Sequence, residues 1–488
     1  MQSVLQKDPT SSRKILFLVS IFFIFQTLSF LGYRWPNLAG IFFLLIVLGT
    51  IGLTFHKFEY GFLVLIFEFF SGHDGRMLEL YGISLRFTLF AVLMLIWLVR
   101  RARRSKIFFV NQPLTLLLLL FGLFVLLALG QGIIRNNPTL AIKDFINYSY
   151  FLLIFPLVDI FSKKDFYSKI FSIGQSATIG IGLLTIFIFI LFATGAAQVH
   201  DSFYWWWRNV AAGKATYAGN NFFRIVTPAH LLILPLFLFY LSFLAESKIS
   251  QKLQKTMVWL AIFASLTLLI NFSRAYFLGI LAGLIILAKG LKFRRWLIFS
   301  AIVIVLMMGE FVLIYGLTSG DFSLGLNIFK NRLETIAGPD QELSSFTRLV
   351  ILPKILEQIK GNLFFGRGLG SSVSYLNPLN NQMETTFHLD WGYLEICLEL
   401  GLLGLLTYLS ILALIFYQGW RLIARFNMLE SRAATGLLAG LGSLMVATLT
   451  GPFLFHSLGI FYVTLVAAII TNRTNSTRLA SQGEAGHE

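Results

Sequence analysis

Long apolar runs alternate with short polar segments along almost the whole chain. A helix needs about 20 apolar residues to cross the ~30 Å hydrocarbon core of a bilayer, so each run predicts a membrane-spanning helix. Fourteen are predicted, near residues 15–32, 38–55, 57–71, 84–99, 113–132, 145–161, 170–193, 225–245, 257–273, 275–290, 296–317, 398–418, 433–452 and 455–471. The third and fourth are short and flank a polar stretch at 72–83, so twelve spans with a re-entrant pair also fit the pattern.

The composition supports a chain that is embedded in lipid. Of its 488 residues, 57% are hydrophobic and 13% are charged, whereas a soluble globular protein has about 25% charged residues. This balance excludes a disordered chain, a coiled coil and most soluble enzymes. We therefore predict an all-α polytopic membrane protein with 12–14 transmembrane helices. The single cysteine, Cys397, excludes an intramolecular disulfide.

The distribution of basic residues predicts how these helices are oriented. The chain has 39 lysines and arginines and a net charge of +16, and most of the basic residues lie in one alternate set of loops, which are the shorter ones. Cytoplasmic loops are enriched in Lys and Arg, so we predict that both termini are cytoplasmic. The basic surplus then reflects orientation and an anionic substrate rather than nucleic acid. The first apolar run lacks a small-residue cleavage site and is predicted to be retained.

The spans divide the chain into four predicted regions. Residues 1–317 hold the first eleven helices, with an outer loop at about 194–224. Residues 318–397 form a large outer loop, long enough for a small subdomain. Residues 398–471 hold the last helices before a polar cytoplasmic tail at 472–488, which is predicted to be disordered. In the large loop, apolar residues at helical spacing predict an amphipathic helix, bent by Pro353, that lies on the membrane or packs on the bundle. They are Phe346, Leu349, Leu352, Leu356 and Ile359.

Several signatures of nucleotide-dependent and metal-dependent enzymes are absent from the sequence. There is no Asp-x-Asp pair for a metal-bound nucleotide sugar and no His-Glu-x-x-His. The segment from Gly361 to Gly368 imitates a phosphate-binding loop for six positions, but Arg367 stands where that loop has lysine. We therefore predict no ATPase activity and no bound metal or cofactor. Gly366, Gly368 and Gly370 are instead predicted to form a tight turn with positive φ.

Basic residues on the predicted outer face are the main candidates for chemistry. Arg274 lies where one apolar helix ends and the next returns, and Arg224 lies at the outer start of another helix. Arginine can bind phosphate oxygens through two parallel hydrogen bonds. A lone arginine at a helix end often only reaches lipid headgroups, so it is the clustering of several that favours an anion site. The other candidates are Arg208, Lys214, Arg348, Arg367 and His388.

Three further features have competing interpretations. The run from Tyr204 to Trp207 is interpreted as an aromatic anchor at the membrane interface rather than a platform for sugars. Glu310, inside a predicted span, is either a proton or ion site or a carboxyl group satisfied by helix packing. Lys143 and Asp144 are predicted to form a local ion pair.

The C-terminal half resembles the bacterial O-antigen ligase/polymerase superfamily. The family elements PLFGxGxG and HNxYLxxLxELGxxG are similar to Leu363-Phe-Phe-Gly-Arg-Gly-Leu-Gly370 and, after a gap, His388-Leu-Asp-Trp-Gly-Tyr-Leu-Glu-Ile-Cys-Leu-Glu-Leu-Gly-Leu-Leu-Gly404. Ser273 and Arg274 resemble the family's SR element, and Arg224 matches an arginine that precedes a returning helix. The resemblance runs from about 220 to 470. The chain departs from the family pattern at Leu389, where asparagine is usual.

This resemblance implies a metal-independent, inverting glycosyltransferase with a GT-C-like helical fold in the bacterial inner membrane. The implied donor is a polyprenyl-diphosphate-linked glycan at the outer leaflet, and the acceptor is another glycan or lipid A core. Arg224 and Arg274 would hold the diphosphate, and His388 would orient or deprotonate the acceptor. The motifs are shared by glycan polymerases, ligases onto lipid A core and protein ligases, which leaves these three open. Further substrate contacts are expected from Arg348, Arg208 and Arg367.

A flippase or another transporter of lipid-linked glycans is the competing function. Transporters often show internal repeats and helices that are broken near the bilayer midplane. The sequence shows no convincing repeat, and its candidate residues cluster at the outer face. The transferase is therefore the favoured prediction.

Overall fold

The structure, a computed structural model, describes residues 12–103, 112–198, 200–246, 249–322, 325, 343–377, 381–387, 389–424 and 428–485. Most of these residues are helical, and the strands within the described ranges are confined to three two-stranded hairpins.

The N-terminal part is mostly helical, and a short hairpin connects its third and fourth helices. In chain order the helices are α1 (Ser12–Arg34), α2 (Pro36–His56), α3 (Phe58–Ser71), α4 (Leu85–Ala102), α5 (Gln112–Arg135), α6 (Pro138–Ser149), α7 (Ile154–Phe161), α8 (Lys164–Ala193) and α9 (Ser202–Asn209). Pro36 and Pro138 open α2 and α6, where a missing N–H costs nothing. A 3-10 turn at Tyr150–Leu153 joins α6 to α7, so these two helices form one span.

The C-terminal part contains the remaining helices and two of the hairpins. The helices are α10 (His230–Leu244), α11 (Gln251–Asn271), α12 (Arg274–Leu287), α13 (Phe293–Ser319), α14 (Leu343–Gly361), α15 (Gly392–Ile423), α16 (Met428–Ala447) and α17 (Ser457–Ala485). The antiparallel pairs are β1 (Glu79–Leu80) with β2 (Ile83–Ser84), β3 (Lys214–Tyr217) with β4 (Phe223–Val226), and β5 (Val373–Asn377) with β6 (Gln382–Thr386).

The fold confirms an all-α polytopic membrane protein. Each of the fourteen predicted spans corresponds to a helix or, for 145–161, to part of the joined α6–α7 pair. Among the described residues, ten helices are long and apolar enough to cross a membrane. In α2 and α13, only 22% of the residues in the most apolar 18-residue segment are buried inside the protein. This fits direct contact of their side chains with lipid.

Helix α16 is the centre of packing in the C-terminal part. It lies along both α10 and α12, and small residues bring the helices close together. A Cβ at Gly440 would lie 2.5 Å from Pro235 of α10, and one at Gly279 of α12 would lie 2.9 Å from the Ser443 carbonyl. Small residues at helix interfaces allow such close packing in membranes. Elsewhere, α5 packs on α15, and α8 contacts α1, α3 and α11.

Helices α3, α10 and α12 are much shorter than a bilayer is thick. They have 14 or 15 residues each and are therefore about 21–23 Å long, against a ~30 Å hydrocarbon core. α3 ends, and α10 and α12 begin, at the end of the bundle that carries the β5–β6 loop, which we call the outer end. The polar turns there are buried, since His73, Thr227 and Asn271 expose 2% or less. Non-helical backbone at membrane depth requires such cover by protein.

Two predicted segments differ in detail from the structure. The polar tail predicted at 472–488 continues α17 as a helix to Ala485, because no proline interrupts a helix that is already nucleated. The helix predicted around Pro353 is confirmed as α14, but its packed face is different. Ile355 and Ile359 are buried, whereas Leu349 and Leu356 are exposed. The face that packs is therefore rotated from the predicted one.

Cysteine labelling can test the predicted orientation of the bundle. Ser374 of β5 is exposed at the outer end and Ser162 is exposed at the opposite end, while the native Cys397 is buried. Ser374→Cys should therefore react with a membrane-impermeant maleimide in right-side-out spheroplasts, and Ser162→Cys should react only after permeabilisation. The reverse pattern would contradict cytoplasmic termini.

Candidate active site

The turn between α11 and α12 joins the two arginines that were predicted to hold a diphosphate. Arg224 lies on β4, and its Nε donates to the carbonyl of Asn271, the last residue of α11, at 3.2 Å. Arg274 is the first residue of α12, three positions further along the chain. Both arginine side chains are half-buried. The structure therefore brings Arg224 to the segment that carries Arg274.

The backbone of this turn adopts a conformation that phenylalanine seldom takes. Phe272 has φ 52° and ψ 41°, in the left-handed region that costs a non-glycine residue about 1–2 kcal/mol. Its ring stacks on Phe311 of α13, with 4.6 Å between the ring centroids, which offsets part of that cost. Ser273 takes the N-cap position without a side-chain cap hydrogen bond to α12. The positive end of the α12 dipole thus adds to the charge of Arg274.

His230, the first residue of α10, holds the end of α11 in place. Asn271 Nδ2 donates to His230 Nδ1 at 2.7 Å, and His230 Nε2 lies 2.8 Å from Thr185 Oγ1. Because Nδ1 accepts a hydrogen bond, this arrangement assigns the ring proton to Nε2. The sequence reasoning did not identify His230, which stands at the start of an apolar run and gives no other signal.

The glycine turn that was predicted at 366–370 is confirmed. Gly366, Gly368 and Gly370 have φ angles of 70°, 98° and 70°. A Cβ would also lie 2.4 Å from the Glu399 carbonyl at Gly366 and 2.6 Å from the Ala141 nitrogen at Gly370. Glycine is therefore needed here both for the backbone angles and for the close approach to α6 and α15.

Helix α15 is broken at Gly401, and the segment 363–370 completes its hydrogen bonds. Gly401 has φ 74° and ψ −179°, which are not helical angles. The carbonyl groups just before Gly401 therefore cannot form the usual helix hydrogen bonds with the N–H groups just after it. The loop supplies replacement partners on both sides of the break. The four bonds are Arg367 N–H to Leu398 O (2.7 Å), Gly368 N–H to Glu399 O (3.1 Å), Leu402 N–H to Leu363 O (2.8 Å) and Leu403 N–H to Phe364 O (3.3 Å).

Two carboxyl groups meet at the end of the glycine turn. The N–H of Gly370 donates to Asp144 Oδ2 at 3.0 Å and to Glu399 Oε1 at 3.1 Å. The predicted pair of Lys143 with Asp144 is wrong, because Asp144 turns inward to the glycine turn and Lys143 is exposed. The glycine motif and the Glu-Leu-Gly motif of α15 are therefore parts of one structural unit.

Glu395 lies one helical turn before Glu399 and meets a histidine. Its Oε2 accepts the N–H of Leu389 at 2.9 Å, and its Oε1 lies 3.9 Å from His456 Nε2. Burial opposes protonation of His456, but the hydrogen bond and charge of Glu395, with the charges of Asp74 and Asp144, outweigh it and raise the pKa of the imidazole above its ordinary value.

The loop between α16 and α17 connects the arginine turn to these carboxyl groups. The ring of Phe453 packs on Tyr276 of α12 at 5.7 Å, and the ring of Phe455 packs on Tyr393 of α15 at 5.9 Å. His456 follows directly in the chain. One short loop therefore contacts both the helix that begins with Arg274 and the helix that carries Glu395.

A buried ion pair fixes the tip of the α3–α4 hairpin beside this loop. Arg86 Nε lies 2.7 Å from Glu68 Oε2, and both side chains are almost fully buried. The Arg86 guanidinium also donates to Ser457 Oγ at 2.9 Å and to the His73 carbonyl at 3.1 Å. His73 bonds in turn to Thr227, just before α10. These contacts hold the first part of the polar stretch 72–83 inside the bundle, whereas Tyr81 at its tip is exposed.

The other residues that were predicted to contact substrate lie on separate elements of the structure or outside its described part. Arg348 of α14 pairs with Asp390 at 2.9 Å, which ties α14 to the start of α15. Arg208 is exposed on α9. The backbone N–H of Arg367 donates to the Leu398 carbonyl beside the break in α15, and the Arg367 side chain is half-buried. His388 lies outside the described residues.

The tryptophan run on α9 is mainly a packing element. Trp206 and Trp207 are buried. Trp206 Nε1 donates to Ser29 Oγ at 3.1 Å, and Trp207 packs edge-on against His73. The interpretation as an interfacial anchor is wrong for these two residues and fits only Trp205, which is 47% exposed.

Glu310 has a partner on a neighbouring helix. Ser265 of α11 donates its hydroxyl hydrogen to Glu310 Oε2 at 2.5 Å. Of the two interpretations, the contact favours a carboxyl group that is satisfied by packing of α11 on α13.

Comparison with protein families agrees with this geometry. Residues 259–409 match the family model described as O-antigen ligase, a segment that runs from α11 past the break in α15 and includes Arg274, the glycine turn and Glu399. Arg224 and His456 lie outside the matched segment. Comparison with curated proteins finds no match to the chain. This chain is thus a multi-pass membrane protein, and the match of residues 259–409 to the O-antigen ligase family supports its resemblance to the O-antigen ligase/polymerase superfamily.

Proposed function

We propose that the chain is a membrane glycosyltransferase that transfers or polymerises polyprenyl-diphosphate-linked oligosaccharides at the outer face of the cytoplasmic membrane. The observation that carries the proposal is the α11–α12 turn. It lies within the O-antigen ligase segment, bears Arg274 and holds Arg224 through the Asn271 carbonyl. The transfer inverts the anomeric carbon of the donor sugar and uses no metal ion.

The two arginines balance the charge that develops on the leaving lipid diphosphate. As the bond from the anomeric carbon to the diphosphate oxygen breaks, negative charge accumulates on that oxygen. A positioned donor at such a place contributes about 3–4 kcal/mol to lowering the barrier. Arg224 donates to the Asn271 carbonyl and Arg274 is the first residue of α12, so both belong to the same turn. The shortness of α10 and α12 supports a site at the depth of a lipid headgroup.

The acceptor, a glycan or lipid A core, attacks the anomeric carbon through a hydroxyl group. That hydroxyl must lose a proton, and an imidazole is suited to accept it near neutral pH. On the family resemblance, His388 is proposed to orient this hydroxyl or to accept its proton. Arg348, Arg208 and Arg367 are proposed to contact the sugar or phosphate groups around the reacting centre.

Reconstitution of the purified protein in proteoliposomes with a polyprenyl-diphosphate-linked glycan tests the function. Release of polyprenyl diphosphate with a ladder of longer glycans identifies a polymerase. One transfer onto lipid A core identifies a ligase. Movement of intact donor across the bilayer without any product identifies a flippase and contradicts the proposal.

Turnover should be insensitive to chelation of divalent metal ions. Arginine supplies the positive charge that a metal would otherwise bring to the diphosphate. Within the described part of the chain, no group of three or more His, Cys, Asp or Glu residues could hold a metal ion. Rates of donor consumption in excess EDTA and in Mg²⁺ should be equal. An absolute requirement for Mg²⁺ or Mn²⁺ would count against the arginines as the counter-charge.

A further inference from the structure

His456 is a titratable side chain at the outer end that the proposed function leaves unused. Its side chain is 37% exposed, whereas its neighbours Phe455 and Ser457 are buried. The imidazole therefore faces accessible space while the backbone on either side is packed into the bundle. The loop that carries it also contacts α12, the helix that begins with Arg274.

Glu395 is placed to orient this imidazole. One carboxylate oxygen is fixed by the Leu389 N–H at 2.9 Å, and the other lies 3.9 Å from His456 Nε2. The Glu395 side chain is only 13% exposed, so it has little freedom to turn away. A histidine that is oriented by a buried carboxylate and reachable by substrate is the arrangement that general bases use.

We infer that His456, positioned by Glu395, takes the proton of the acceptor hydroxyl, which leaves His388 the role of orienting that hydroxyl. The inference rests on the proposed function. The acceptor O–H bond breaks as its oxygen bonds to the anomeric carbon. The bond from that carbon to the donor diphosphate breaks, and its electron pair leaves on the lipid diphosphate. The proton moves to a ring nitrogen of His456 and from there to water.

The charged groups around His456 favour the imidazolium that this step forms. Carboxylates face it from three different elements, and each stabilises a positive charge on the ring. Arg86 is bonded to Ser457, the residue after His456, and its charge is already paired with Glu68. The carboxylates are Glu395 of α15, Asp144 of α6 and Asp74 at the tip of the α3–α4 hairpin.

The pH dependence of transfer tests this role directly. His456→Asn is expected to lower kcat by on the order of 10²–10⁴-fold, the range for loss of a general base, with KM little changed. Glu395→Gln is expected to move the acid limb of the kcat/KM profile to lower pH, because an imidazole without its carboxylate loses its proton more easily. Matched controls are His56→Asn and Glu357→Gln, which change the same residue types at exposed positions.

The possible outcomes separate the two proposals. If the wild type transfers glycan and Glu395→Gln keeps the wild-type acid limb, the role of His456 is refuted while the function stands. If the wild type transfers nothing, the function itself fails, and the role of His456 fails with it. If His456→Asn does not fold, the profile of Glu395→Gln decides.

Thermal unfolding gives a readout of the pair that does not depend on turnover. The raised pKa of His456 means that its pairing with Glu395 stabilises the fold fully below the ordinary imidazole pKa of about 6.5 and that this contribution is lost as pH rises through the folded value. The Tm deficit of Glu395→Gln should therefore shrink as pH increases. A deficit that is constant with pH would refute the pair.

Discussion

Changing Arg274 to lysine is expected to lower turnover by on the order of 10²–10³-fold, the loss typical of removing one positioned donor to a developing charge, while the protein still folds and inserts. Lysine keeps the positive charge but lacks the planar fork that binds two phosphate oxygens at once. Arg274 is half-buried at the first position of α12, so the change removes no side chain from the core. The initial rate of polyprenyl diphosphate release measures the effect.

Arg101→Lys is the matched control for this prediction. Arg101 lies at the opposite end of the bundle, where its Nη1 is 3.3 Å from Asp159 Oδ2, and lysine there keeps the charge. Its turnover should equal that of the wild type. If Arg274→Lys also retained near-full turnover, Arg274 would be a headgroup anchor, and the diphosphate role would have to be abandoned.

Replacing Gly401 by alanine is expected to prevent stable assembly of the C-terminal part. The φ of 74° and ψ of −179° at this position are essentially restricted to glycine, and a Cβ would lie 2.2 Å from the Phe364 carbonyl. Relief requires withdrawal of the segment 363–370 and loss of its four backbone hydrogen bonds to α15, each with a net value of about 0.5–1.5 kcal/mol. Size-exclusion profiles and Tm in detergent measure the outcome.

Gly309→Ala separates this effect from that of adding a methyl group to any helix. Gly309 lies within α13, and no heavy atom lies within 4 Å of a Cβ built there. Alanine is favoured over glycine in a helix by about 1 kcal/mol, so this variant should fold as well as the wild type or better. An unchanged Tm for Gly401→Ala would show that α15 can run through as a continuous helix.

The helices could be predicted from the sequence because the bilayer dictates their length and polarity. Each apolar run had to become a helix, since lipid offers the backbone no other partner. The glycine turn was also predictable, because glycine adopts positive φ most easily and the sequence has glycine at Gly366, Gly368 and Gly370. The arginine turn was visible as a charged residue between two apolar runs.

The polar contacts inside the bundle could not be predicted from the sequence. Arg86 meets Ser457 across 371 positions, and Gly370 meets Asp144 across 226. Such pairs are set by helix packing, and a single sequence carries no period or spacing that reveals them. Asp144 next to Lys143 therefore suggested a local ion pair, although packing turns it toward the glycine turn. For the same reason, His456 gave no signal beside its apolar neighbours.

The repaired break in α15 also constrains the order in which the protein can be assembled. Gly401 lies nine residues after the start of α15, about 14 Å along the helix, so the loop that repairs it reaches well below the outer end. In lipid, the polar groups on both sides of the break would each cost several kcal/mol if left without partners. In the predicted orientation, the loop precedes α15 in the chain and is exported before that helix is made. Insertion of the last three helices is therefore coupled to the return of an already translocated segment into the membrane, and a translocation defect in the loop would appear as a defect in the helices that follow it.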